Sequence, residues 1–393
     1  MPDSATQESK TLVGRVHYDI REIEQAKWDA CSQSQRYNPF VDYRFLRALE
    51  ESNSACADTG WAPFHISLES ERETVALMPM YLKSHSRGEY VFDGSWANAW
   101  HQAGGRYYPK LQSSVPFTPA TGPRLLAKPG QYQSEWQRQL LEVATQLAQK
   151  TNISSMHITF MPEDEWKLAG SCGLLQRLDT QFHWYNHEYE DFEQFQNELS
   201  SKKRKNIRRE RREACQNGVE IEWVTGSDLR EHHWDAFFDF YMDTTYRKWG
   251  SNYLTREFFS LINETMPNQI LLILAKRENR YIAGAINFIG EDTLFGRNWG
   301  CIEHHPFLHF EVCYYQAIDY AIANKLLCVE AGAQGSHKIA RGYLARETYS
   351  AHWLANESFK QAVADFLQRE QSYVKSDIEY VRTHSPFKTV LER

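Results

Sequence analysis

The sequence predicts an α/β (α+β) chain built as two similar halves in tandem, each a mixed sheet flanked by helices. Three observations predict it. At 393 residues the chain is long for one domain, and a division near residue 190, into 1–190 and 191–393, follows from ordinary domain size. The stretch Leu294–Tyr343 spells strand, loop, helix and strand, which is a crossover unit. The order of elements before and within that stretch also repeats, faintly, in the first half.

In chain order, a polar start leads to a strand at Val13–Tyr18, a helix at Ile23–Cys31 and a second helix at Pro39–Glu51 with Phe45, Leu46 and Leu49 inward. Phe64–Leu68 and Val75–Leu82 pair about the turn-like ESERE. Gly88–Leu126 is dense in aromatics, prolines and glycines and carries Trp96, His101 and Lys110. Such a loop has to be compensated by ligand binding or by packing as a plug between domains, and both readings stay open. A helix at Gln133–Lys150 and a strand at Ser155–Phe160 complete the half, and Phe182–Glu190 makes the passage onward.

The second half opens on SKKRKNIRRERREACQNG. The spacing of Leu199, Ile207 and Ala214 predicts a basic helix over 201–217 that Gly218 ends. Like charges one turn apart repel by a few tenths of a kcal/mol per pair. A phosphate partner for Lys205, Arg208, Arg209 and Arg212 would relieve that repulsion, and a solvated face diluted by Glu210 and Glu213 is the alternative. Helical stretches at Thr225–Tyr246 and Arg256–Met266 and strands at Ile270–Lys276, Ile282–Ile289 and Thr293–Phe295 lead into the central unit. There a polar loop with Arg297, Trp299, His304 and His305 precedes a helix at Leu308–Ala323 whose apolar side is Phe310, Tyr314, Ala317 and Ala321. The strand Leu326–Glu330 is followed by Gly332, Gly335, His337, Lys338 and Arg341. Ligands of such units gather where loops leave the carboxyl ends of strands. A closing strand at His352–Leu354 and a helix at Ser358–Val374 finish the chain.

Composition narrows the function. An apolar share of 42% and an aromatic share of 14% suffice for two packed cores. A net charge of −7 excludes a general nucleic-acid binder, so any polyanion site is local. Seven scattered cysteines without a CxxC pair point to a reducing compartment and away from a disulfide framework or zinc cluster. With no signal-peptide core and no stretch of membrane-span length, the expectation is a cytoplasmic protein without membrane insertion. No G-x-S-x-G elbow, P-loop or H-E-x-x-H occurs, and the adjacent histidines lack a second ligand pair, so no metal is expected.

With these residues in view, the chain resembles the Fem-type bacterial acyltransferases, which carry two acetyltransferase-like (GNAT) domains in tandem and include the peptidoglycan-bridge aminoacyltransferases. The likeness rests on the basic helix Ser201–Gly218, on Tyr246 and Trp249 before a helix, and on Gly284, Ala285 and Phe288 in strands. It rests also on Phe310-Glu311 at a helix entry and on Gly332, His337, Lys338 and Gly342. The first half, with WANAWHQAGGRYYPKL and PFTPATGPRLL, is similar to the FemAB-like predicted N-acyltransferases. The resemblance implies transfer of an acyl or aminoacyl group from acyl-CoA or aminoacyl-tRNA to a small-molecule amine, with tRNA the partner in the second case. Two features depart from the pattern. The helical-hairpin insertion of some tRNA-using members is missing, and CIEHHPFLH stands where ordinary acetyltransferases have their glycine-rich pyrophosphate loop.

Acyl transfer to an amine needs a base within reach of the nitrogen and a donor or cation for the oxyanion. Glu311, in the first turn of the crossover helix, is the first candidate base, with helix-dipole pairing as its bland alternative. His304 and His305 have a suitable intrinsic pKa. Lys338 and Arg341 could neutralise a phosphate or carboxylate, and Glu330 could orient Lys338. Arg297, Trp299 and His337 join them as substrate-binding candidates, and Trp96, His101 and Lys110 serve the acceptor side.

Overall fold

A computed structural model describes residues 12–32, 36–248, 252–332 and 335–388. Trp249 and Gly250 lie outside the described residues. The first half contains β1 (Leu12–His17), α1 (Gln25–Ser32), α2 (Tyr43–Glu51), β2 (Trp61–Pro63), β3 (His65–Ser70), β4 (Glu73–Met78) and β5 (Tyr81–Lys83). It continues with α3 (Gly94–Gln102), β6 (Lys110–Ser113), β7 (Leu126–Ala127), α4 (Gln133–Lys150), β8 (Ser155–Met161), α5 (Glu163–Ser171) and β9 (Leu175–Tyr185). The second half contains α6 (Phe192–Glu198), α7 (Ser201–Ala214), β10 (Glu220–Thr225), α8 (Glu231–Lys248), α9 (Arg256–Thr265), β11 (Ile270–Arg277) and β12 (Arg280–Ile289). It ends with β13 (Thr293–Cys301), α10 (Leu308–Phe310), a π-helical turn at Glu311–Tyr315, α11 (Gln316–Ala323), β14 (Cys328–Glu330), β15 (Leu344–Leu354) and α12 (Glu357–Thr383).

The halves repeat in detail. Each has an antiparallel hairpin, β3–β4 and β11–β12, closed by two residues of positive φ: Glu71 and Arg72 in one, Glu278 and Asn279 in the other. That geometry matches the natural twist of the flanking strands. Each half also has one parallel pair joined by a crossover helix: β6 with β8 around α4, and β13 with β14 around α10 and α11. Three expectations need correction. Tyr90–Phe92 is not a strand, because Tyr90 turns at φ +60, and the strand of that unit is β6. Trp96 lies on α3 rather than in a loop. β13 runs on to Cys301 against the long partner β12, so Arg297 and Trp299 stand on a strand.

The pairing between the halves is an exchange. In the 11-stranded sheet the order is β10-β11-β12-β13-β14-β9-β15-β8-β6-β5-β2, while β1, β3, β4 and β7 form a separate 4-stranded sheet. The first half's β9 thus lies against the second half's β14 (Trp184 opposite Val329), and the second half's β15 lies against β8 (Ala351 opposite Ile158). Side chains follow the strands. Trp184 packs in the core beneath α11, and Ala351 and Trp353 pack in the core beneath α4. A third core joins both halves through Phe40, whose ring centroid is 5.2 Å from those of Phe288 and Phe295.

Because each core contains a strand of the other half, the chain is expected to unfold in a single transition. Trp184→Ala should cost about 3–5 kcal/mol and lower the melting temperature of both halves together, as read by calorimetry with residue-resolved hydrogen exchange. Two separate transitions would contradict the exchange.

Candidate active site

The parallel pairing of β13 with β14 covers Thr293–Phe295 and then stops, while β13 continues to Cys301 paired with β12 only. A gap therefore opens at the carboxyl end of the pair. α8 seals one side of it. A Cβ at Gly300 would sit 2.0 Å from the Phe240 carbonyl oxygen, so only glycine allows helix and strand to approach that closely. The chain then turns through Glu303–Phe307 and enters α10 with Phe307 left-handed at φ +61. The result is a cavity of about 350 Å³ lined by Trp299, Cys301, Glu303, His304, His305 and Phe307–Phe310, His309 among them, with Thr244 of α8 completing the wall. His305 Nε2 lies 3.1 Å from Glu303 Oε2, and Arg277 Nε donates to the same oxygen at 3.0 Å.

The basic helix α7 has two faces with different roles. One docks on the crossover helix. Arg211 donates to Glu311 at 2.9 and 3.2 Å and to Asp319 at 2.5 Å, and it stacks on Phe192. Next to it, Glu210 accepts from Arg341 at 2.9 Å and from the Tyr315 hydroxyl. The π-helical turn at Glu311–Tyr315 presents both Glu311 and Tyr315 to this face. The other face holds Arg204, Lys205, Arg208, Arg209 and Arg212 around an open hollow of about 570 Å³. Arg209 also lies over the Phe307 ring at 5.7 Å, so the basic hollow and the aromatic cavity share a wall.

After β14 a 3-10 turn at Ser336–Arg341 folds back on the same helix. His337 Nε2 is 2.9 Å from the Tyr314 hydroxyl and its ring is 5.7 Å from Phe310. The Arg341 guanidinium sits on the Phe310 ring at 3.4 Å. Lys338 does something else: its amine caps the carbonyls of Ala331 and Gly332 at 2.5 and 2.8 Å, and burial brings its pKa down to about 8.

The cavity and its rim thus bring together Trp299, His304, His305, His337, Arg341 and, from α7, Arg209. Glu311 does not join them. It is 1% exposed, and its oxygens are engaged by Arg211 and by Gln316 at 2.7 Å. Burial raises its pKa, with Arg211 opposing the shift. Arg297 and Glu330 turn into the seam between the halves. Arg297 donates to the Phe117 carbonyl at 2.9 Å, and the Thr121 amide donates to Glu330 at 3.4 Å. Burial pushes Glu330 up to about 8 and brings Arg297 down to about 10. Lys110 is fully buried between Glu89, at 2.6 Å, and Asp93, over the Tyr107 ring at 5.7 Å, Trp96 packs edge-on to the His352 ring, and His101 is on the surface of α3. The segment that carries these residues packs as a plug. Sequence reasoning passed over Glu303, Phe307, Glu210 and Arg211. Of these only Glu303, adjacent to the histidine pair, carried a local signal.

Among the described residues no group of three or more His, Cys, Asp or Glu could hold a metal ion, and no helix is long and apolar enough to cross a membrane.

Comparison with known proteins gives a consistent picture. The family described as FemAB_like, peptidoglycan biosynthesis/recognition, matches residues 19–389. No curated protein matches in sequence. The crystal structure of FemX superposes at a TM-score of 0.55 and 11% identity, over 87% of this chain and 98% of its own. The C-terminal DUF2156 domain of a putative lysylphosphatidylglycerol synthetase from Agrobacterium fabrum reaches 0.52 at 8% identity, over 88% and 95%. L-PGS from Bacillus licheniformis reaches 0.50 at 8% identity, over 85% and 98%. These likenesses are of fold, and they agree with the mixed sheets flanked by helices predicted above.

Two outcomes follow from the charges. Arg211→Ala leaves Glu311 buried without its cation and should cost about 3 kcal/mol; adding Glu311→Gln should restore part of it, as measured by denaturant titration. Glu330 keeps its proton in the folded chain up to about pH 8, against 4.5 for an ordinary glutamate. Its stabilising share is therefore complete below the ordinary value and is lost as pH rises through the folded one. The melting temperature of the wild type, relative to Glu330→Gln, should fall between about pH 5 and pH 9. A difference that is flat with pH would contradict a buried, protonated Glu330.

Proposed function

The chain belongs to the FemAB-like family, and from that premise we propose that it is an N-acyltransferase acting on a cell-wall-related amine. In this reading the donor is a phosphate-bearing activated ester or thioester, an acyl-CoA or an aminoacyl-tRNA. Its anionic part lies on the Arg204, Lys205, Arg208, Arg209 and Arg212 face, and its reactive carbonyl reaches into the cavity beside β13. The observation that carries the reading is the shared wall: one residue, Arg209, belongs to the basic hollow and also covers Phe307 of the cavity. The family description supplies the tie to peptidoglycan.

The extent of the basic face favours the aminoacyl-tRNA donor as the second reading. Its cations run from Arg204 to Arg212, about 12 Å along a helix, which suits a run of backbone phosphates better than one diphosphate. A division at residues 1–190 and 191–393, with β9 and β15 exchanged, and a cytoplasmic location belong to the same proposal. The thiols of Cys56 and Cys215, outside any disulfide, support the location.

The chemistry asked of the site is modest. The amine attacks as a free base, so a proton must leave the nitrogen as the new bond forms. His304 and His305 line the cavity, which supports that role for one of them. Lys338 serves to hold the turn that carries His337 and Arg341 against Phe310. Glu311 holds α7 in place through Arg211.

The test is transfer followed by mass spectrometry, with acyl-CoAs and with aminoacylated acceptor-stem minihelices offered to candidate amines. Transfer from at least one donor is expected. Arg208→Glu and Arg209→Glu should each weaken donor binding about tenfold, the size of one charge-assisted hydrogen bond. Unchanged donor binding in both variants, or minihelix binding with no transfer to any amine, would leave a polyanion-binding protein and overturn the proposal.

A further inference from the structure

We propose that Glu303, anchored by Arg277, is a positioning residue that holds His305 as the base of the transfer. The inference rests on reading the cavity as the transfer site. The loop that carries His305 is fixed at both ends. The Ile302 amide donates to the Ile282 carbonyl at 2.9 Å, which ties the residue before Glu303 to β12. Pro306 restricts the backbone of His305, and the Leu308 amide donates back to the His305 carbonyl at 3.3 Å. The ring thus stands on a backbone with little freedom, its side chain 13% exposed, facing the cavity.

The orientation of the ring follows from the partner. Arg277 Nε donates to Glu303 Oε2 at 3.0 Å, and His305 Nε2 meets the same oxygen at 3.1 Å. The Arg277 guanidinium, and after it the imidazole, hold the Glu303 carboxyl below the usual carboxylate range. An ionised carboxylate only accepts hydrogen bonds, so Nε2 must carry the proton. In the neutral ring that leaves the lone pair on Nδ1, the atom that can act as base. Arg277 sits at the end of β11, next to the Glu278–Asn279 turn, and so is placed by the sheet rather than by the loop. A carboxylate that fixes the tautomer of a working histidine is a recurrent device, and losing such a partner commonly costs 10–100-fold in function.

As the amine nitrogen bonds to the acyl carbon, one of its protons passes to His305 Nδ1. The carbon–oxygen or carbon–sulfur bond to the donor then breaks, and the same proton leaves on the departing alcohol or thiol.

The test needs no donor. Spectra of the ¹⁵N-histidine-labelled wild type, with the His305 signals assigned by their loss in His305→Gln, should show the Nε2–H tautomer. Carbethoxylation of His305 by diethylpyrocarbonate, followed by peptide mass spectrometry, should slow about tenfold in Glu303→Gln. Glu303→Asp should recover part of the rate, and all variants should keep the wild-type melting temperature within a few degrees. A dominant Nδ1–H tautomer in the wild type, or an unchanged rate in Glu303→Gln, would overturn the positioning role. Transfer found alongside the wrong tautomer would remove this inference and leave the function standing. The expected tautomer with no transfer from any donor would remove the function and leave the geometry standing.

Discussion

The exchange of β9 and β15 is the constraint on which the rest of the molecule depends. Each strand completes a sheet that its own half cannot close: β9 covers the edge of the short β14, and β15 covers β8. An uncovered β14, three residues long, would leave unpaired backbone groups at the carboxyl end of the crossover unit. With β9 in place, that end is rigid, and the gap beside β13 becomes a shaped cavity rather than a frayed edge. The seam that results is buried, which is why Arg297, Glu330 and the plug segment meet there in each other's hydrogen bonds instead of in solvent.

The docking of α7 is the second level of organisation. A helix this basic would repel itself as an isolated element. Here one face is neutralised by contacts within the chain, Arg211 against Glu311 and Asp319, while Glu210 takes the opposite role toward Arg341. The burial of Glu311 makes this ion pair sensitive to the loss of either partner. The opposite face is left with its cations grouped around a hollow, next to the aromatic wall of the cavity. The same helix therefore has two roles: what fixes one face also aims the cations of the other.

Much of the fold was legible in local patterns. α4 was expected over the residues it occupies because its apolar period is clean, and the first hairpin was marked by the turn-like ESERE. β15 was nearly missed because Thr348, Ser350 and His352 look unsuited to a buried strand. All three are buried, and His352 Nδ1 meets His157 Nδ1 at 2.8 Å. The exchange itself had no local signature, since it pairs residues more than 140 positions apart. At the site the polar loop with Trp299, His304 and His305 was visible in the sequence. The role of Glu311 was not, because its partner Arg211 lies a hundred positions away. Phe307 and Phe310 look like ordinary apolar residues until the rings are seen to carry Arg209 and Arg341.

The central claim is that one donor occupies both the basic face of α7 and the cavity behind Phe307. Hydrogen exchange read by mass spectrometry, with and without an acyl-CoA and then an aminoacylated minihelix, tests it most directly. The account predicts that a single donor slows exchange both in Ser201–Ala214 and across residues 302–310. Protection of the helix with the loop unchanged, for every donor that binds, would contradict it.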